Sequence, residues 1–316
     1  MRVIILGGTQ FVGRAITQAC VTAGHDVLVV HRGQHEPADL PEVEHLHLER
    51  DSWPEHRDAF TGFGADAAID VSAGNANGAR SALAALPVGI ELVALSSVDV
   101  YRAYEGLHTG RQTDAVPLTE TSPLRSARYI DGPQWENLEV EHLHLEAGAT
   151  ILRLGAVYGE HDYQRRFEAV LRRIRGGRPR MPIGAGSFLF SRVYVGDVAQ
   201  AVLAVLNMQR GAGQCFNIVE SQTAPMGLLY EQVIAATGSE LELTRVPDDA
   251  LPADLRAAGA VGQHLLASPT KAHHLLAWTE TDREDNVRRS VHWHLDNPPD
   301  DWNRDFSADD AALAQG

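Results

Sequence analysis

Lysine is nearly absent from this sequence. Of 27 basic residues among 316, 26 are arginine and one, Lys271, is lysine. Chemistry that needs a lysine amine, as a Schiff base or as the cation that lowers a tyrosine's pKa, is confined to that position. Cysteine is scarce too. Cys20 and Cys215 sit among apolar neighbours, which predicts buried free thiols rather than a disulfide and argues against redox chemistry at sulfur. Long hydrophobic runs are missing: Val3 to Leu6 and Val27 to Val30 fall far short of the roughly 20 residues that span a bilayer. No basic-then-apolar leader opens the chain, so the expectation is a cytoplasmic protein with no membrane partner. Excess positive charge is missing as well, since 42 acidic against 27 basic residues give a formal net charge of −15. A phosphate backbone calls for a basic surface, and no nucleic-acid partner is expected.

What is present is patterned. Apolar residues make up 44% of the chain, enough for a substantial core. "MRVIILGGTQFVG" runs from an apolar strand through a Gly-rich turn into an amphipathic helix, Phe11 to Ala23, closed by Gly24. "DVLVVHRG", "EVEHLHL", "DAAIDV", "IELVALSS" and "ATILRLGAVYG" supply further strands separated by helix-length stretches. Such alternation predicts an α/β fold, a parallel sheet covered by helices on both faces. Later, Asp197 reads as the N-terminal cap of "VAQAVLAVLNM", "CFNIV" as one more strand, and "MGLLYEQVIAATG" and "EDNVRRSVHWHL" as two helices with "ELELTRV" between them. The expected division is a dinucleotide-binding unit over 1–160, with 190–220 returning to its sheet, and a substrate-binding part over 161–190 and 221–296. The acidic, proline-broken tail, 297–316, is expected to be poorly ordered.

The first turn carries the clearest chemistry. Gly7, Gly8 and Gly13 permit close backbone approach, and Thr9, Gln10, Phe11 and Val12 would present helix amides to a pyrophosphate. At the end of the second strand an acidic residue would bind a ribose 2′-hydroxyl, but His31 and Arg32 stand there, and a guanidinium suits a 2′-phosphate. The expected cofactor is NADP, with NAD second. His45 and His47 alternate on one strand face, yet no Cys or carboxylate joins them at motif spacing, so no metal is expected. Ser96 is not in a G-x-S-x-G elbow, which leaves hydrolase chemistry unsupported.

Six segments, "GGTQFVG", "HRG", "LSSVDVY", "LRLGAVYG", "VYVGDVAQAV" and "FNIV", stand in the order found in the short-chain dehydrogenase/reductase superfamily. The chain resembles its extended and atypical branch, usually called NAD-dependent epimerase/dehydratases. The resemblance implies a Rossmann-type doubly wound parallel sheet with a smaller C-terminal substrate-binding domain, a small-molecule substrate, and homodimers through two helices per subunit. It places Arg50 and Asp51 near the adenine, Ser72 and Ala73 beneath the ribose, and Gly155, Ala156 and Val157 beside the nicotinamide. It makes Ser97 the catalytic serine, and Arg192 and Tyr158 the substrate-binding residues, with Arg192 at a position that often meets a phosphate or carboxylate.

The family's tyrosine and lysine, four residues apart, do not follow. With Glu141 taken as the glutamate that follows them, Asn137 stands at the lysine position and Pro133 at the tyrosine position, as the first residue of a helix capped by Gly132 or Asp131. No YxxxK exists elsewhere, because the residue four before Lys271 is Ala267. Tyr129, Tyr101 and Tyr104 are the candidate replacement acids, and Asp99 could act as a base if it faces the cleft. The arginines of "YQRRFEAVLRRIRGGRPR" could attract an anionic substrate such as a nucleotide sugar. The expected function is an NADP-binding enzyme acting on a small polar metabolite by hydride transfer, or by epimerisation or dehydration through a transient one. The alternatives are a dinucleotide-sensing protein and a non-redox enzyme using the same cleft.

Overall fold

The structure, a computed structural model, describes residues 1–128, 136–208 and 213–316. In chain order the elements are β1 (Arg2–Leu6), α1 (Phe11–Thr22), β2 (Asp26–His31), β3 (Glu44–His47), α2 (Arg57–Gly62), β4 (Ala67–Asp70), α3 (Ala76–Ala85), β5 (Glu91–Ser97), α4 (Ala103–Thr109) and α5 (Asn137–Glu146). There follow β6 (Thr150–Leu154), β7 (Ala156–Tyr158), α6 (Glu168–Arg175), β8 (Arg180–Ile183), β9 (Arg192–Tyr194), α7 (Val195–Leu206) and β10 (Cys215–Ile218). The last are α8 (Met226–Thr237), β11 (Glu242–Arg245), α9 (Thr270–Leu276), α10 (Arg283–Asp296) and α11 (Ser307–Leu313).

Seven strands form one parallel sheet in the order β10-β6-β5-β4-β1-β2-β3. Successive side chains of a strand point to opposite faces, so a sheet covered on both sides needs continuous apolar runs. "VIIL" and "VLVV" satisfy that need: Val3, Ile5, Val27 and Val29 pack with α1 and α7, while Ile4, Leu6, Leu28 and Val30 pack with Trp53, Phe60 and Ala82. The strand order reverses between β1 and β4, which opens a crevice at the carboxyl edge where ligands of such folds bind. Short parallel pairs, β7 with β9 and β8 with β11, carry the chain away from that edge. Among the described residues no helix is long and apolar enough to cross a membrane.

Two expectations fail here. Asp197 does not cap α7, whose N-cap is Tyr194; it lies in the first turn, where its carboxylate accepts from Thr281 N at 3.1 Å and Thr281 Oγ1 at 2.9 Å. The tail is not loose either. Asp309 of α11 is fully buried and meets the fully buried Arg173, with Nε to Oδ2 at 2.6 Å and Nη2 to Oδ1 at 2.8 Å. Phe306 lies under the guanidinium groups of Arg172 and Arg178, at 5.0 and 5.2 Å. Two of the tail's five acidic residues, Asp309 and Asp310, are counterions for arginines in and just after α6. Asp254 pairs with Arg172 and Arg173, Glu168 with Arg175, and Asp310 with Arg178, while Arg165 and Arg166 of the same arginine run have no carboxylate partner among the described residues and line a cavity beside β7.

A buried guanidinium that loses a counterion is costly, although Asp254 still faces Arg173. Asp309→Ala is expected to destabilise the fold by about 3 kcal/mol, read as a lower urea midpoint with an unchanged slope.

Candidate active site

The turn after β1 is held in place by what glycine lacks. Gly7 has φ +93°, and a side chain there would press on Ser72 Oγ at 2.6 Å; a Cβ on Gly13 would stand 1.9 Å from the Gly7 carbonyl oxygen. The first turn of α1 thereby packs directly on the end of β1. Gln10, the exposed N-cap, makes no capping hydrogen bond, and no acid occupies the first turn. The first amides of a 12-residue helix therefore have no capping side chain and sit at its positive end, an arrangement that fits a pyrophosphate. Phe11, with φ +38°, turns its ring edge-on to Tyr163 at 6.1 Å. Thr9 is buried beneath the turn and Val12 half-buried. The residues present fit the phosphate portion of a dinucleotide.

The other expected cofactor residues lie along the same carboxyl edge, in different states. Arg32 is exposed and forms no ion pair among the described residues, which leaves it available to a phosphate. His31 is not so placed: it is 8% exposed, and its ring turns toward His45 and His47. Arg50 donates to Asp70 Oδ2 and Oδ1 at 3.1 and 3.0 Å, with Trp53 against its guanidinium at 4.3 Å, and so ties the segment after β3 to the end of β4. Asp51 is exposed. Ser72 and Ala73 form the loop beside Gly7, and Ser72 N bonds Asp70 Oδ1 at 3.3 Å. Burial alone would push the Asp70 carboxyl up, but Arg50 and His144 outweigh it and hold its pKa at about 2.

At the end of β5, Ser97 Oγ accepts from Asp99 N at 3.2 Å, and among the described residues its own proton has no acceptor. Asp99 is half-buried, and burial raises its pKa despite the pull of Asn137 and Arg125. Asn137 Nδ2 lies 3.0 Å from both Asp99 oxygens. The residue at the lysine position thus acquires an acidic partner that spacing alone did not reveal. α5 begins at Asn137 with Glu136 as its N-cap, while Tyr129, Asp131, Gly132 and Pro133 lie outside the described residues.

Tyr101 is not a catalytic acid. It is fully buried, donates to Asn217 Oδ1 at 2.6 Å and accepts from Arg153 Nη1 at 3.1 Å, and burial pushes its pKa up to about 12. Tyr104 is half-buried beside His108, and burial raises its pKa too.

Beyond Gly155, Ala156 and Val157, β7 leads into a cavity of about 790 Å³ whose wall includes Ala156, Tyr158, Arg192, Met226 and Tyr230, with Trp302 and Asp305 of the tail on its far side. The Tyr158 hydroxyl donates to Glu220 Oε1 at 2.6 Å, and burial raises the Glu220 pKa to about 7. Arg192 is 6% exposed and donates to Ala224 O at 3.3 Å and Met226 Sδ at 2.7 Å, and no carboxylate among the described residues pairs with it. Burial lowers its pKa only to about 10, so it keeps its charge at neutral pH. Tyr158 and Arg192 both line this cavity. Glu220 was missed, although its place just after the strand "FNIV" was a signal. A histidine cluster was missed as well: His31, Glu36, His45 and His47 converge, contrary to the expectation of no ligand set.

Asp70 gives the edge a pH dependence. Its folded pKa of about 2 lies below the ordinary carboxylate value, so its contribution is present above pH ~4 and lost as pH falls toward 2. Asp70→Asn is expected to remove about 2 kcal/mol at neutral pH and to flatten the acid limb of the stability curve, measured by urea unfolding at stepped pH.

Comparison with known proteins agrees with this geometry. A family model described as "NAD dependent epimerase/dehydratase family" matches residues 3–218. The chain is 26% identical to the chloroplast stem-loop binding protein of 41 kDa b of Arabidopsis thaliana, over 99% of this chain and 84% of that one. It is 28% identical to 2′-dehydrokanamycin reductase of Streptomyces kanamyceticus, over 78% and 70% of the two chains. A solved UDP-glucose-4-epimerase from Stenotrophomonas maltophila, with bound NAD and formylated UDP-arabinopyranose, superposes with TM-score 0.75 at 18% identity, over 94% of this chain and 98% of that one. A model match spanning most of the chain, on a doubly wound sheet with an open phosphate turn, settles the family: this chain belongs to the NAD dependent epimerase/dehydratase enzymes.

Proposed function

We propose that the protein is an NADP(H)-dependent oxidoreductase or epimerase/dehydratase acting on an anionic, sugar-containing small molecule, with a proton path built on Asp99 instead of tyrosine and lysine. One observation carries the reading. The uncapped α1 N-terminus shares a sheet edge with the Ser97–Asp99–Asn137 group. Thr9 to Gly13 would hold the pyrophosphate, Arg32 the 2′-phosphate, Ser72 and Ala73 the ribose edge, and Gly155 to Val157 would border the nicotinamide. When bound, the dinucleotide supplies the hydride donor or acceptor. Ser97 donates its proton to the substrate oxygen, and Asp99, its pKa raised by burial, gives or takes the proton. Asn137 holds the Asp99 carboxylate in place.

Arg192 supports an anionic substrate, because a buried guanidinium without a carboxylate partner is satisfied by a phosphate or carboxylate entering the cavity. The cavity volume lies within the roughly 300–1,000 Å³ of small-molecule sites. The UDP-sugar in the Stenotrophomonas epimerase and the aminoglycoside named for the Streptomyces reductase support a sugar-containing molecule. The plant relative's name points to nucleic acid instead, but a net charge of −15 opposes that reading for this chain. Two free cysteines support a reducing compartment such as the cytoplasm.

A second reading, a dinucleotide sensor without turnover, is favoured by Asn137 standing where the family has lysine. Turnover separates the two: with NADPH and a panel of keto-sugar nucleotides and aminoglycoside ketones, the enzyme oxidises NADPH and the sensor does not. Fluorescence titration is expected to show NADPH binding more tightly than NADH, with Arg32→Ala losing about tenfold for NADPH and little for NADH. Asp99→Asn is expected to lower kcat about 10²-fold or more at unchanged NADPH affinity, and Arg192→Ala to act mainly on substrate KM. Equal affinity for both cofactors, unmoved by Arg32→Ala, would overturn the NADP assignment.

A further inference from the structure

The parallel register of β2 and β3 sets His31 beside His47, with His45 two residues earlier on the same face of the edge strand. Glu36, in the connecting loop, reaches back over them. Its Oε1 lies 3.1 Å from His31 Nε2 and 3.5 Å from His45 Nδ1, and meets His47 Nε2 in a very short contact. His31 Nε2 and His45 Nδ1 are 2.9 Å apart, and the four donor atoms all lie within 4.8 Å of one another.

Glu36 Oε1 stands within 3.5 Å of a nitrogen of each of the three imidazoles. Bonds of about 2.0–2.1 Å to a tetrahedral zinc put its ligand atoms roughly 3.3 Å apart; the His31–His45, Glu36–His31 and Glu36–His45 separations of 2.9, 3.1 and 3.5 Å lie near that value, and His47 would move off Glu36 to admit the ion. Three imidazoles and a carboxylate without thiolate form a donor set for zinc and related divalent transition metals. We propose that His31, Glu36, His45 and His47 form a divalent transition-metal site, of zinc type, that ties the edge strand β3 to the end of β2 beside Arg32.

The surroundings suit the assignment. The His31 side chain is 6% exposed, while Glu36 and His47, at 43% and 51%, leave a path for the ion. Gly33 N now donates to His31 Nδ1 at 3.2 Å, which places the ring proton on Nε2. A metal on Nε2 would send that proton to Nδ1, and the Gly33 amide, at a glycine with φ +74°, would have to turn away from it.

The test uses the full chain with any affinity tag removed, stripped by chelator and dialysed against zinc chloride. Wild type is expected to retain one zinc per chain. At a hundredfold excess over the dissociation constant its thermal midpoint should rise by roughly 3–6 °C. His45→Ala/His47→Ala, with both positions at the sheet edge, should lose both effects. Glu36→Gln, on an exposed loop that cannot threaten the fold, should bind zinc at least about tenfold more weakly. His35→Ala, next to Glu36 but outside the cluster, should bind as wild type does. X-ray absorption should read nitrogen and oxygen neighbours near 2.0 Å and no sulfur. Absence of stoichiometric zinc, retention by the double variant, or sulfur ligation would overturn the site.

Discussion

The close approach of α1 to the end of β1 is the constraint on which the rest of the site depends. A Cβ on Gly13 would collide with the Gly7 carbonyl at 1.9 Å, so this packing is reserved for glycine. Because the helix starts against the strand end, its first amides open at the point where the strand order reverses, and the loops after β2, β4 and β5 gather around them. Asp70 then fixes the loop after β4: one carboxylate binds Arg50 from the segment after β3, approaches His144 of α5 at 3.3 Å, and takes the Ser72 amide. Arg50 and Asp70 are structural members of a cofactor edge, and their charges are consumed in building it.

The residues at this edge depart from the family's tyrosine–lysine pattern while the scaffold is kept. Where a lysine would lower a tyrosine's pKa, Asn137 cannot, and Tyr101 is locked in the core by Asn217 and Arg153. Burial instead raises a carboxyl pKa at Asp99, next to a serine whose proton has no acceptor among the described residues. A carboxyl whose pKa is raised holds its proton more readily than an ordinary aspartate does. On the substrate side the logic is similar. Arg192 keeps a buried charge without a carboxylate partner, and the tail, held by Asp309 on Arg173, forms one wall of the same cavity.

How much of this was legible follows from the range of each interaction. The strands could be read because sheet residues buried on both faces give uninterrupted apolar runs, and the phosphate turn because its glycines are adjacent in sequence. Failures came where a residue's partner is remote. Asp309 looked solvated because Arg173 is 136 residues away, and Tyr101 looked catalytic because spacing says nothing of Asn217, 116 residues on. Asp197 resembled a cap until Thr281 claimed its carboxylate. The histidine cluster needed only the register of β2 on β3, which pairs His31 with His47, and it was within reach once the two strands were taken as neighbours.

A co-crystal structure with NADPH bears most directly on the central claim. The account predicts a pyrophosphate on the amides of Phe11 to Gly13, the 2′-phosphate against Arg32, and the nicotinamide facing Ser97 and Asp99. Density that leaves the Gly7–Gly13 turn empty, or a nicotinamide turned away from Asp99 toward another acid, would contradict it.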